Sequence, residues 1–187
     1  MADAFGTALR DLSATAERVL AELRPDLDRA LAMVQETVKG GGTLFFCGNG
    51  GSAADAQHLA TEYVVRYLRN RRPLPAIALT TDTSLLTAAA NDLGFDEVFA
   101  RQIQALAKRG DLLIIHTTSG NSPNLLRAAE AAREKGVPVL AFSARDGGKL
   151  RSLATHNVII PTDRTDRAQE LQLCIQHVIC DAVEQAL

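Results

Sequence analysis

Five short apolar runs recur along this chain, separated by stretches with helical spacing. They are Thr43–Cys47, Ala76–Thr80, Asp111–His116, Val137–Ser143 and His156–Ile160. A strand that is apolar along nearly its whole length must be covered on both faces, as the strands of a parallel sheet are. The intervening segments predict helices over Ala53–Leu68, Ser84–Asn91, Asp96–Lys108 with Asp96 as N-cap, and Pro123 to Gly136 with Ser122 as cap. A closing helix spans 166–186. Residues 4–39 read as helix in two pieces broken near Pro25, where Leu27, Leu31, Val34 and Val38 recur at helical spacing before Gly40-Gly41-Gly42 ends the run. The expected architecture is therefore α/β, a three-layer sandwich with a five-stranded parallel sheet flanked by helices. The 187 residues suffice for one domain with a full core, and no repeat, low-complexity stretch or linker divides them.

Composition removes several classes of function. Twenty basic residues against twenty-two acidic ones leave a net charge of −2, with no basic face for nucleic acid. Arg66, Arg69, Arg71 and Arg72 cluster locally and read mostly as a solvated helix end and turn. No apolar run approaches membrane-spanning length, and Met1–Phe5 lack the start of a signal peptide, so cytoplasmic residence is the expectation. Cys47, Cys174 and Cys180 show no metal-type spacing and read as reduced thiols in or near the core.

In parallel sheets, ligands sit beyond the carboxyl ends of the strands. The segment after the first strand, Gly48-Asn49-Gly50-Gly51-Ser52, is a glycine turn entering a helix, where free N–H groups and the Ser52 hydroxyl can hold an anion. His58 and Glu62 are four apart on that helix and so share a face about 6 Å apart. The loop after the third strand, Thr117-Thr118-Ser119-Gly120-Asn121-Ser122, brings hydroxyls to a second helix start. Together they make a phosphate cradle without Lys or Arg. Neither loop is a Walker loop, and the first lacks the third glycine of the dinucleotide pattern, so no nucleotide cofactor is expected. The last helix carries Asp166, Gln169 and His177, which alone indicate nothing beyond a packed or solvated helix.

Taken jointly, these segments resemble sugar-phosphate isomerase (SIS) domains over nearly the whole chain, and most of all the branch that isomerises sedoheptulose 7-phosphate. The resemblance rests on Cys47-Gly48-Asn49-Gly50-Gly51-Ser52, Asp55-Ala56-Gln57-His58, Asn91-Asp92-Leu93-Gly94-Phe95, Thr118-Ser119-Gly120-Asn121-Ser122, Asp166-Arg167-Ala168-Gln169-Glu170 and the position of His177. It implies a flavodoxin-like SIS domain over 1–187, with helices 4–39 contributing to oligomerisation. It implies conversion of sedoheptulose 7-phosphate to D-glycero-D-manno-heptose 7-phosphate through an enediol, the first step toward heptose precursors of lipopolysaccharide. Glu62 is then the base and His177 its acid/base partner. His58, Glu62, Gln169 and His177 would hold zinc. Ser52, Thr117, Thr118, Ser119 and Ser122 would hold phosphate. Asn49, Arg66, Asp92 and Asp166 would contact the sugar, with Gly50, Gly51, Asn91 and Gln169 in the same binding set. The family implies a homotetramer with sites at subunit interfaces, which would explain how one helix brings His177 to a site built on distant loops.

The chain departs from the family at His116-Thr117, where a small residue followed by Ser is expected, and in the loop Thr162-Asp163-Arg164-Thr165. A hydroxyl is kept at Thr117, and His116 is expected to be structural. The rival class is a non-catalytic SIS-domain protein that binds a replication initiator. Leu74–Leu79 followed by Thr81-Asp82 resembles that group too, but the presence of both Glu62 and His177 favours catalysis. Regulators that sense sugar phosphates need a DNA-reading domain, and the helices before the first strand have no basic face.

Overall fold

The computed structural model describes residues 3–187. Two helices come first, α1 (Ala4–Glu22) and α2 (Arg24–Lys39), joined by Leu23 alone, with Pro25 in the first turn of α2 where its missing N–H costs no helical bond. The rest alternates: β1 (Leu44–Cys47), α3 (Gly51–Val64), β2 (Ala76–Ala78), α4 (Thr83–Leu93), α5 (Ala100–Leu106), β3 (Leu112–His116), α6 (Pro123–Glu134), β4 (Val139–Ala144), α7 (Leu150–Leu153), β5 (His156–Ile160) and α8 (Thr165–Gln185). The strands pair in parallel in the order β2-β1-β3-β4-β5.

Side chains alternate across each strand, and this splits the core in two. Leu44, Phe46, Leu112 and Ile114 join Val34, Leu59, Leu171 and Ile179 on the face covered by α2, α3 and α8. Phe45, Cys47, Leu113 and Ile115 join Ile103, Leu125 and Ala128 on the face covered by α5 and α6. The central strands β1, β3 and β4 are buried along their whole length, as their unbroken apolar runs require, whereas the edge strands β2 and β5 are partly exposed.

Several boundaries differ from the sequence reading for identifiable reasons. The segment expected as one helix from Asp96 is a 3-10 turn, Phe95–Glu97, followed by α5, and Asp96 caps neither. Gly94, at φ 97°, sets the turn, and burial of Val98 and Phe99 decides where α5 begins. Helix α3 starts two residues before Ala53 and ends four before Leu68. The single-turn α7 is too short to show periodicity. Among the described residues, no helix is long and apolar enough to cross a membrane. Phe5, Leu9 and Leu20 on α1 and Val178 on α8 remain exposed in the single chain, Phe5 at 86%.

Candidate active site

The strand order reverses between β1 and β3, and the loops leaving these two strands part there to form a crevice. Seven of the expected residues, Asn49, Ser52, Thr117, Thr118, Ser119, Ser122 and Gln169, line one cavity of about 190 Å³ in that crevice. His116, Leu125 and Thr165 complete the lining. Three helices begin at its wall: α3 at Gly51, α6 at Pro123 and α8 at Thr165. In none of the three does the N-cap residue's side chain cap the helix, whereas α1 and α4 are capped by Asp3 and Asp82; in α8, Asp166 accepts the Arg167 N–H at 3.0 Å. Ser122 occupies the N-cap position of α6 yet leaves its hydroxyl out of any capping bond. Uncapped helix starts present free N–H groups and the positive ends of their dipoles. The cavity thus offers an anion hydroxyls and backbone donors, with no Lys or Arg in its lining. Its volume is below the roughly 300 Å³ at which pockets hold a whole small ligand, so it suits one end of a substrate.

Local bonds shape this cradle. Thr117 Oγ1 accepts from the Gly120 N–H at 3.1 Å, and Ser119 Oγ from the Asn121 N–H at 3.3 Å. Gly120 is needed on two counts: its φ is 65°, and a Cβ there would lie 2.0 Å from the Gly147 carbonyl oxygen. A Cβ on Gly51 would meet the Gln169 amide at 2.6 Å. Gln169 Nε2 in turn donates to Ser52 Oγ at 3.4 Å. The Asn49 and Asn124 amides donate to each other at 2.9 Å, tying the first loop to α6. His116 has no solvent exposure and stacks between Phe46 and Phe142 with Gln176 3.2 Å from its Nε2. Burial lowers its pKa to about 4, so it is neutral at pH 7, in line with a structural role.

Further along the same two helices lies a second group. Donor atoms of His58, Glu62 and His177 all fall within 4.8 Å of one another. His58 Nε2 is 2.8 Å from His177 Nε2 and 3.4 Å from Glu62 Oε1. Tyr67 stacks on the His177 ring at 5.3 Å and 18°. Burial is the first cause that lowers the His177 pKa, and the charge of His58 adds to it against the opposing pull of Glu62. Two imidazoles and a carboxylate aimed at one point form a donor set suited to zinc, with a coordination position left for another ligand. Gln169, the fourth expected ligand, faces Ser52 in the cradle. The contacts Ser52–Gln169 and His58–His177 show that α3 and α8 run alongside in the same direction. Six and eight residues of helix separate the cradle from the cluster, about 9–12 Å of rise. His177 and Glu62 therefore meet within one chain, and no neighbouring subunit is needed to explain His177.

Other expected residues are not gathered. Arg66 is exposed in the connection after α3, and Asn91 and Asp92 are exposed at the end of α4, where the Asn91 amide donates to Asp92 at 2.8 Å. Asp166 is exposed in the first turn of α8; its bond from Arg164, assisted by the Arg167 N–H, holds its carboxyl well below the usual range. Gly50 is exposed at the start of α3 with φ 56°. Cys47 is buried and burial pushes its thiol pKa far up, while Cys174 is exposed and does not belong to the core. Asn124, Thr165 and Tyr67 escaped the sequence reading. A polar Asn124 beside the buried Leu125 in an apolar helix was the one visible signal.

A family model described as SIS domain matches residues 9–144. A phosphoheptose isomerase of Aliarcobacter butzleri is 47% identical over 173 residues, covering 92% of each chain. One from Chlorobaculum parvum is 51% identical over 179 residues, covering 94% of this chain and 86% of its own. The solved structure of a phosphoheptose isomerase from Neisseria gonorrhoeae superposes with a TM-score of 0.91 at 37% identity, covering 97% of each chain. The chain belongs to the SIS-domain family, in its phosphoheptose isomerase branch. It is an enzyme, a sugar-phosphate isomerase.

Proposed function

We propose that this enzyme converts sedoheptulose 7-phosphate to D-glycero-D-manno-heptose 7-phosphate through an enediol, without a nucleotide, in the cytoplasm where its free thiols stay reduced. One observation carries the reading: three uncapped helix starts converge on a hydroxyl-lined cavity about 9–12 Å along α3 and α8 from the His58–Glu62–His177 cluster. Phosphate in the cavity places the far end of an open sugar chain at the cluster. A heptose phosphate covers that span; a triose phosphate, with its carbonyl one bond from the phosphate-bearing carbon, falls short.

In this reading Ser52, Thr117, Thr118, Ser119 and Ser122 hold the phosphate. Glu62 removes a proton from C1 and, after its carboxyl has exchanged with water, delivers one to C2. His177 gives a proton to O2 and takes one from O1, so that the enediol forms and collapses with protons balanced. His58, Glu62 and His177 would hold zinc, which would polarise the substrate carbonyl when bound, while Gln169 stays on Ser52 in the cradle. His58→Ala should lower zinc affinity in a chelator competition. Arg66, Asn91, Asp92 and Asp166, with Asn49, Gly50 and Gly51, would serve the sugar once chains assemble. We include a homotetramer in the proposal, with α1 and α2 of a single SIS domain over 1–187 contributing contacts; the exposed Phe5, Leu9, Leu20 and Val178 support it. The product would feed heptose precursor synthesis.

The test is incubation of metal-replete protein with sedoheptulose 7-phosphate in D₂O, followed by NMR. The aldose should appear with deuterium at C2. No turnover would sink the reading and promote binding of a replication initiator instead.

A further inference from the structure

Beyond the cradle and the cluster lies a buried carboxylate with four hydrogen bonds that neither uses. Glu184, in the last turn of α8, has a side chain 1% exposed. It accepts the backbone N–H groups of Tyr67, Leu68 and Arg69 at 2.7–2.8 Å and Nε of Arg71 at 3.0 Å. Burial by itself would raise its pKa, but the three N–H donors and Arg71 outweigh that and hold it below the ordinary value. Arg71, its side chain 8% exposed, spends its other donors on main-chain carbonyls: Glu62 at 2.6 Å, Tyr63 at 2.7 Å and Arg72 at 3.0 Å. Glu62 and Tyr63 lie in the last turn of α3, where carbonyls lack intrahelical partners. This accounts for α3 stopping at Val64.

A buried ion pair often only closes a loop, and by itself says little about stability. Here, however, its bonds end on the site. One guanidinium bond grips the peptide carbonyl of Glu62, and the carboxylate grips the N–H of Tyr67, the residue that stacks on His177. Arg66 sits between α3 and that anchored turn.

We propose that Arg71 and Glu184 are positioning residues for the isomerase, a clasp that sets Glu62 from below and His177 through Tyr67. The inference rests on the functional reading above for its kinetic and zinc arms, and the histidine signals are independent of it.

The experiment compares Arg71→Lys, Glu184→Gln and Tyr67→Leu with the parent protein. Lysine keeps the charge of Arg71 but cannot span both carbonyls and the carboxylate. Tyr67→Leu leaves the clasp intact, since Glu184 takes the backbone N–H, and removes only the stacked ring. Each variant is first checked by circular dichroism. A displacement of the base by a fraction of an ångström to an ångström should lower kcat roughly tenfold to a hundredfold, with KM little changed. Zinc affinity by chelator competition should fall, and the ring NMR signals of His58 and His177 should shift in the metal-free protein. The last readout needs no substrate, so a wrong sugar and a wrong clasp are told apart. Folded Arg71→Lys and Glu184→Gln proteins with parental kcat and unmoved histidine signals would overturn the proposal. Should both fail to fold, parental kcat and histidine signals in Tyr67→Leu would overturn it.

Discussion

The two ends of the site are built differently. In the proposed reading the phosphate end is finished within one chain: the five residues expected for phosphate line its cavity together with Asn49 and Gln169, and loop, sheet and helix starts hold them. The proposed sugar end is not, since Arg66, Asn91 and Asp92 are exposed and do not line that cavity. The difference follows from what each end requires. Phosphate is held by backbone N–H groups and helix dipoles, which strand order alone brings to one point. Sugar hydroxyls need individual side chains at individual positions, and assembly of several chains is one way to supply them.

The sharpest way to break this contrast acts on the cluster between the two ends. Glu62→Gln keeps shape and removes the base, so kcat should fall at least about a hundredfold with KM nearly unchanged. Near-full activity in steady-state kinetics would show that the base is elsewhere. Next in size is the phosphate end. Ser119→Ala should raise KM roughly tenfold and affect kcat less, because a hydrogen bond to a charged group contributes about 1.5–3 kcal/mol and acts on ground and transition states alike. An effect on kcat alone would mean that the cradle does not hold the phosphate.

Mixed assemblies probe the sugar end. Co-expressed, separately tagged Glu62→Gln and His177→Ala chains should stay inactive, because both residues belong to one chain's cluster. Glu62→Gln mixed with Asp92→Asn should regain measurable activity if Asp92 serves a neighbour's site. Recovery in the first mixture, or a monomer by light scattering, would undo the comparison.

The smallest effect lies beneath the cradle. His116 titrates near 4 in the folded protein against 6.5 in the unfolded chain. Its depressed pKa means the unfolded state takes up the proton first, so its contribution is complete above 6.5 and fades as pH falls toward 4. Relative to His116→Gln, the parent protein should lose about 1.4 kcal/mol of unfolding free energy between pH 7.5 and 5.5, read by denaturant titration. That window avoids Glu184, whose depressed pKa makes its contribution full above 4.5 and lost only at lower pH. A parallel pH slope in both proteins would place His116 in contact with water.

Much of this was legible beforehand. The five strands and the two loops that line the cavity lie where apolar runs meet glycine and hydroxyl clusters, because those signals are local. The pairing of His58 and Glu62 on α3 was legible too, since they lie one turn apart. Asn124 meeting Asn49 across 75 residues was not. Nor was Tyr67 on His177, nor the clasp, although Glu184 shares a helical stripe with His177 and Cys180 at spacings of seven and four. An acidic residue on a buried stripe signals a partner, but spacing cannot say which of Arg66, Arg69, Arg71 or Arg72 it is.

The sequence by itself determined a parallel α/β sheet and the chemistry of its loops, since period, turn residues and helix starts act over a few positions. Only the tertiary structure decided which helix starts converge, that His177 reaches Glu62 inside one chain, and that Arg71 turns inward to Glu184. Those depend on strand order and on α3 lying beside α8, contacts made between residues more than a hundred positions apart.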